Sequence, residues 1–252
     1  AEGIVRGDRV SLSRAITLVE SQNSQHMQEA FNLFEGIHSL KQQQDDTKAN
    51  NTFRVGITGP PGAGKSTFIA SLGMHLAENE HKVAVLAIDP SSKRTGGSIL
   101  GDKTRMHDLA LHPNAYIRPS PSQGQLGGVA HTTAETAQLC EAAGYDIVII
   151  ETVGVGQSET AVSEIVDCVV LLMPPAAGDD IQGMKKGIVE LADVLVVNKS
   201  DGELKGKARH TQVDYKHALQ LLRPKYSFWN PPVLRCTSLE TEGGGGGGLI
   251  RQ

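Results

Sequence analysis

The chain carries no surplus of positive charge, few cysteines and no long apolar run, and each shortage removes a class of function. Lys and Arg number 24 against 28 Asp and Glu, a formal net charge of −4 over 252 residues. That balance argues against a nucleic-acid-binding surface, so no nucleic-acid partner is expected. No apolar stretch approaches the roughly 18–20 residues that a membrane-spanning helix needs, and no membrane partner is expected either. The three cysteines, Cys140, Cys168 and Cys236, stand far apart in apolar segments. They read as reduced core thiols of an intracellular protein, not as a disulfide or zinc framework. The nine histidines show no metal-ligand spacing. Neither an initiator Met nor a signal peptide opens the chain, which therefore reads as trimmed by processing or by design.

What is present is sharper. Gly59-Pro60-Pro61-Gly62-Ala63-Gly64-Lys65-Ser66-Thr67 fills the template G-x-x-x-x-G-K-[ST] at every fixed position. An apolar run, Phe53-Arg54-Val55-Gly56-Ile57-Thr58, precedes it, and a helical pattern follows over 65–80. A phosphate chain needs many inward donors, and the backbone N–H groups of a Gly-rich turn at a helix N-terminus supply them. Gly59, Gly62 and Gly64 let the backbone approach closely. Lys65 adds a positive charge for the β- and γ-phosphates, and the Ser66 hydroxyl is placed to ligate Mg²⁺. A bland Gly/Pro turn would lack this strand, Lys, Ser and helix in register.

The rhythm of the chain sets the fold class. Residues 1–46 carry no strand signal. Asp8 caps a helix with Leu12, Ala15, Ile16 and Val19 on one face, and a second helix is predicted over 24–40 with Met27, Ala30, Phe31, Phe34 and Ile37 inward. A polar linker is expected over 42–51. Strands are predicted at 53–58, 82–88, 114–118, 145–151, 166–173, 192–198 and 232–236, and helices at 65–80, 103–111, 130–143, 180–191 and 207–222. Runs such as Asp146-Ile147-Val148-Ile149-Ile150 fit strands covered on both faces of a parallel sheet. The expectation is an α/β nucleotide-binding domain over 47–252, mainly parallel, with a helical extension over 1–46. Ligands in such a sheet bind at the carboxyl ends of the strands, where every motif falls. The glycine run at 243–248 reads as a flexible loop.

Asn198-Lys199-Ser200-Asp201 closes the apolar run Val194-Leu195-Val196-Val197 and matches the N-K-x-D pattern of guanine sites. A carboxylate at Asp201 can accept from both the N1–H and the 2-amino group of guanine. Adenine would leave it unpaired, at a cost of roughly 1–3 kcal/mol. Cys236-Thr237-Ser238-Leu239 takes the place of the loop whose backbone meets the guanine O6. Glu151-Thr152-Val153-Gly154 stands where D-x-x-G is usual, with Glu for Asp. Its carboxylate can hold Mg²⁺ through water, and the Gly154 N–H can meet the γ-phosphate. Val155 occupies the position of a water-orienting Gln, which predicts slow intrinsic hydrolysis accelerated by a partner. Asp89, in Asp89-Pro90-Ser91-Ser92, is a further carboxylate near the metal. Asp102 either orients water or ligates Mg²⁺, or it simply caps a helix. Asp179 and Asp180, after Pro174-Pro175-Ala176-Ala177-Gly178, are either caps or part of a nucleotide-sensing loop.

These strings occur in a known order. Gly7-Asp8-Arg9, Leu18-Val19-Glu20-Ser21, the phosphate loop, Asp89-Pro90-Ser91-Ser92, Gly101-Asp102-Lys103-Thr104-Arg105-Met106, Glu151-Thr152-Val153-Gly154-Val155-Gly156-Gln157-Ser158-Glu159 and Asn198-Lys199-Ser200-Asp201 follow one another. The chain resembles the MeaB/ArgK/MMAA family of GTPase chaperones of methylmalonyl-CoA mutase, from Gly3 to about Glu242. The resemblance implies a homodimeric GTPase of the signal-recognition/MinD-like class that gates adenosylcobalamin loading and protects the mutase. It implies Lys65 on phosphate, Ser66 on Mg²⁺, and Asp89, Asp102 and Glu151 around the metal and the catalytic water. Switch stretches are implied at 89–105, 154–159 and 174–187. The family's C-terminal dimerisation arm is expected to be absent, and the glycine run departs from the family pattern. The family lies in the mitochondrial matrix in eukaryotes and in the cytoplasm in bacteria; the start without Met and the glycine run favour the mitochondrial setting. The alternatives are a nickel-type metallochaperone GTPase, which calls for a Cys/His cluster, and an ATP-dependent kinase or transport ATPase, which Asp201 opposes.

Overall fold

The Val- and Ile-rich runs become the strands of one sheet because each buries both faces. In the computed structural model, which describes residues 1–43, 52–89, 106–121, 126–152, 158–175 and 186–238, these are β1 (Phe53–Thr58), β2 (Val83–Asp89), β3 (Ala115–Pro121), β4 (Ile147–Glu151), β5 (Cys168–Met173), β6 (Val194–Val197) and β7 (Val233–Arg235). The helices are α1 (Glu2–Val5), α2 (Arg9–Val19), α3 (Ser24–Gln43), α4 (Lys65–Glu78), α5 (His107–Leu111), α6 (Leu126–Ala142), α7 (Ser158–Ser163), α8 (Lys186–Leu191) and α9 (Lys205–Gln220), with a 3₁₀ turn at Gly202–Leu204. The sheet order is β3-β2-β4-β1-β5-β6-β7, and every pairing is parallel. The α/β parallel-sheet expectation holds. Strand β1 lies at the centre, so the loop after it opens in the middle of the carboxyl edge.

Side chains alternate between the two faces with the strand period of two. Ile57, Val83, Val85, Ile149, Leu172 and Val196 face α4 and α5, where Phe68, Ile69 and Leu109 complete the packing. On the other face, Ala84, Leu86, Val148 and Ile150 pack with α6 and with the N-terminal helices through Ile4, Leu12, Ile16, Ala30 and Ile37. Further along that face, Leu171, Met173, Leu195 and Val197 meet Ile188 of α8 and Ala208 and Tyr215 of α9.

The N-terminal helices are built as their caps and periodicity dictate. The Asp8 carboxylate accepts from the Val10 and Ser11 amides and from the Ser11 hydroxyl, an N-cap that starts α2. The Ser11 hydroxyl, then the two amides, hold the Asp8 carboxyl below its usual range. The Arg118 guanidinium pairs with Glu20 and also reaches Thr17, and Arg9 donates to the Ala115 carbonyl. The extension is thereby tied to β3.

Three expectations differ. Met27 and Phe31 do not point inward: they are 63% and 58% exposed. The buried stripe of α3 is instead Ala30 and Ile37 with Leu33 and Phe34 half-buried, because the face meeting α2 is rotated by about one residue. The short α1 and α7 were not expected; α1 spans 4 residues and α7 spans 6, too short for a periodic pattern to declare itself. Helix α6 begins four residues before the expected 130. The linker from 44 onward, the N-terminal half of the helix expected over 180–191 and the glycine run lie outside the described residues.

Candidate functional site

The loop from Gly59 to Gly64 joins β1 to α4 as a bowl of backbone. Gly59 has φ 149°, Gly62 81° and Gly64 85°. Gly64 is the left-handed N-cap of α4 and makes no side-chain cap bond. A Cβ at Gly59 would overlap the Leu172 carbonyl, and one at Gly64 would stand 2.7 Å from Asn198 Nδ2. Both positions therefore need glycine for conformation and for space. The loop leaves the N–H groups at the start of a 14-residue helix without side-chain caps, the arrangement that receives anions. Pro60 and Pro61 shape the first turn, while Ala63 is fully buried and anchors the bowl.

Lys65 lies across this bowl. Its Nζ donates to the Gly59 carbonyl at 2.8 Å and to the Pro60 carbonyl at 3.4 Å. Ser66 Oγ donates to Glu151 Oε1 at 3.0 Å. Glu151 ends β4, is 8% exposed, and pairs in register with Ile57 of β1 and Ala87 of β2. The expected hydroxyl–carboxylate pair is thus brought together. These hard oxygen donors suit Mg²⁺. Asp89 ends β2, the strand beside β4. Asp102 and Gly154 lie outside the described residues. Thr67 follows within the first turn of α4.

The second half of the site is joined to the first by one side chain. Asn198 is 1% exposed. Its Nδ2 donates to the Ala63 carbonyl at 2.9 Å, and its Oδ1 accepts from Ser238 Oγ at 2.8 Å and from Cys236 Sγ at 3.4 Å. Its backbone N–H donates to the Met173 carbonyl. Asn198 therefore locks the phosphate-loop bowl, β5 and the loop after β7 into one piece. Lys199 takes a left-handed φ of 54° and is exposed, which turns the chain toward Asp201. The Ser200 amide donates to the Cys236 carbonyl at 3.0 Å, so the turn carrying Asp201 is pinned to the β7 end. Asp201 precedes the 3₁₀ turn, and its carboxylate makes no capping bond there. Burial pushes the Cys236 thiol up to about 11, keeping it a neutral donor.

Sequence reasoning placed Thr237 and Ser238 beside the base through their backbone. Ser238 also receives the Ser71 hydroxyl on its carbonyl at 2.7 Å, so α4 itself holds this loop. Leu239 lies outside the described residues. Thr58 was missed as a site residue. Its Oγ1, at the last residue of β1, and that of the expected Thr237, in the loop after β7, are buried without a hydrogen-bond partner among the described residues. The only sequence signal for Thr58 is adjacency to the phosphate loop.

The chain is similar to known proteins along most of its length. Residues 12–245 match the family model described as methylmalonyl Co-A mutase-associated GTPase MeaB. The mouse protein named methylmalonic aciduria type A homolog, mitochondrial, is 53% identical over 243 residues, which is 96% of this chain and 59% of that protein. GTPase ArgK of Escherichia coli is 50% identical over 246 residues, 96% of this chain and 72% of that one. The crystal structure of an LAO/AO transport system kinase superposes with a TM-score of 0.76 at 41% identity, covering 94% of this chain and 67% of that one. HypB from Helicobacter pylori, solved with nickel, has a TM-score of 0.51 at 15% identity over 80% of this chain and 85% of its own, a likeness of fold alone. The chain thus spans less than two thirds of the mouse relative's length.

Proposed function

The chain belongs to the MeaB family of methylmalonyl-CoA mutase-associated GTPases, and from that premise we propose that it binds GTP and GDP with Mg²⁺, hydrolyses GTP slowly, and acts as a chaperone of a cobalamin-dependent mutase. The observation that carries the reading is the Asn198 clamp. It fixes a phosphate bowl and a guanine-type N-K-x-D turn in a single rigid unit, as a ligand with a phosphate tail and a purine head requires.

In this reading the amides of 59–67 grip the β- and γ-phosphates. Lys65 Nζ exchanges its loop carbonyls for phosphate oxygens, a charge-assisted bond that stabilises the negative charge developing during transfer. Ser66 and Glu151 would hold Mg²⁺, and Asp89 and Asp102 would complete the acidic set. The bound Mg²⁺ supplies neutralisation of charge on the β- and γ-oxygens. The Gly154 N–H meets the γ-phosphate. Water attacks the γ-phosphorus, the bond to the β–γ bridging oxygen breaks, and GDP and inorganic phosphate leave. Asp201 accepts from guanine N1–H and the 2-amino group, Lys199 lies along the base, and the loop Thr237, Ser238 and Leu239 offers amides to O6.

The mutase partnership follows the family's description and a mitochondrial setting the mouse relative's name; the homodimer and the matrix are what the family resemblance implies. No helix among the described residues is long and apolar enough to cross a membrane. We assign residues 1–46 as the helical extension and 47–252 as the nucleotide domain. The test is co-purification with a cobalamin-dependent methylmalonyl-CoA mutase, loaded with GDP or with a non-hydrolysable GTP analogue. A complex whose yield depends on the nucleotide supports the proposal; no complex in either state contradicts the chaperone role.

A further inference from the structure

A second cationic concavity lies between α9 and the edge strand β7. It has a volume of about 620 Å³ and is lined by Lys205, Gly206, Arg209, Gln212 and Arg235. Its construction follows from the sequence. Val233 and Arg235 share one face of β7, and Val233 is buried against Ala208 and Tyr215 of α9. Arg235 is therefore directed to the same helix one strand period further on. Lys205 and Arg209 are four residues apart on α9 and so lie on one helical face. Gly206 leaves the floor open: a Cβ there would meet nothing within 4 Å. Gln212 is held in place by donation to the Val233 carbonyl at 2.6 Å.

Three features mark this concavity as a place for an anion. Among the described residues, the side chains of Lys205, Arg209 and Arg235 form no ion pair and no hydrogen bond. Arg235 Nε is buried without a hydrogen-bond partner, a costly state for a guanidinium unless something accepts from that group. The first turn of α9 contains no acidic residue, and its N-cap, Leu204, offers no capping side chain. Lys205 and Arg209 are thus gathered at the positive end of a 16-residue helix, the reverse of the arrangement that stabilises a helix by itself. Guanidinium forks match phosphate oxygens in pairs.

We propose that this concavity binds a small phosphate-bearing anion at a site separate from the phosphate loop, with Arg209 and Arg235 as the forks and Lys205 as the third charge. The full 252-residue chain is titrated with pyrophosphate at constant ionic strength while backbone amide resonances are followed. Gly206 and Arg209 report this concavity, and Gly62 and Gly64 report the phosphate loop, so a failure here is distinct from a failure of the nucleotide reading. The expected result is saturable movement of Gly206 and Arg209. Arg209→Glu, at an exposed position, should weaken that saturation at least tenfold and leave the Gly62 and Gly64 response unchanged; Lys205→Ala should weaken it about threefold. Three results would overturn the proposal: movement confined to the phosphate loop, a drift that chloride reproduces at matched ionic strength, or saturation indifferent to Arg209→Glu.

Discussion

Two carboxylates are buried to the same degree at opposite ends of the sheet, and their partners differ. Glu151 and Asp193 are each 8% exposed. Asp193, before β6 at the amino edge, accepts from Lys225 Nζ at 2.9 and 3.1 Å and from the Val169 amide at 2.8 Å, while its carbonyl receives Trp229 Nε1. These partners are a fixed ammonium and fixed N–H groups, and they pin the 221–230 connection to the sheet. Glu151, at the carboxyl edge, meets the hydroxyl of Ser66, the residue after the motif lysine. A buried charge satisfied by charge is architecture. A buried carboxylate that accepts from a hydroxyl beside a phosphate bowl is positioned for a cation that arrives with its ligand.

That contrast is broken or sharpened by substitution. Glu151→Gln should lower Mg²⁺-dependent GTP hydrolysis about 100-fold or more while changing urea-unfolding stability by less than about 1 kcal/mol, since Gln still accepts from Ser66. Asp193→Ala should do the opposite: a stability loss of about 3 kcal/mol, with GDP affinity in the folded protein nearly unchanged. Equal stability losses in the two variants would erase the distinction. Asn198→Ala should fall between them, costing about 2 kcal/mol of stability because the Ala63 carbonyl and the Ser238 hydroxyl lose their partner, and also weakening GDP in calorimetric titration. The smallest effect concerns pH. Burial pulls the Lys225 ammonium down, but the Asp193 hydrogen bond and charge outweigh it and leave the group above its ordinary 10.5. A raised cation stabilises fully below the unfolded value and loses that contribution as pH rises through the folded value. Wild type should therefore exceed Lys225→Met in stability below about pH 10 and converge with it at more alkaline pH, read from unfolding midpoints.

The carboxyl edge was the more legible of the two ends. Continuous apolar runs set the seven strands to within two residues of their observed starts, because parallel strands buried on both faces leave little else for Val and Ile to do. The phosphate loop, Glu151 and the turn from Asn198 to Asp201 were readable because each is a local string with a local mechanism. The amino edge was not, since the Lys225–Asp193 pair joins residues 32 apart and has no pattern of its own. Strand order was equally hidden, for the same long-range reason. The role of Asn198 was legible only in part: its motif marked it, but its bond to Ala63 spans 135 residues. On α3, the exposed Met27 and Phe31 show that apolar residues at helical spacing define a candidate face, and the neighbouring helix decides its edges.

The most direct test is one calorimetric comparison of GDP and ADP on the wild-type chain and on Asp201→Asn. The account predicts saturable GDP binding, ADP weaker by roughly 10- to 100-fold, and a narrowed difference in the variant, as the loss of about 1–3 kcal/mol of discrimination requires. ADP binding as tight as GDP to the wild type, or an unchanged preference in Asp201→Asn, would contradict it.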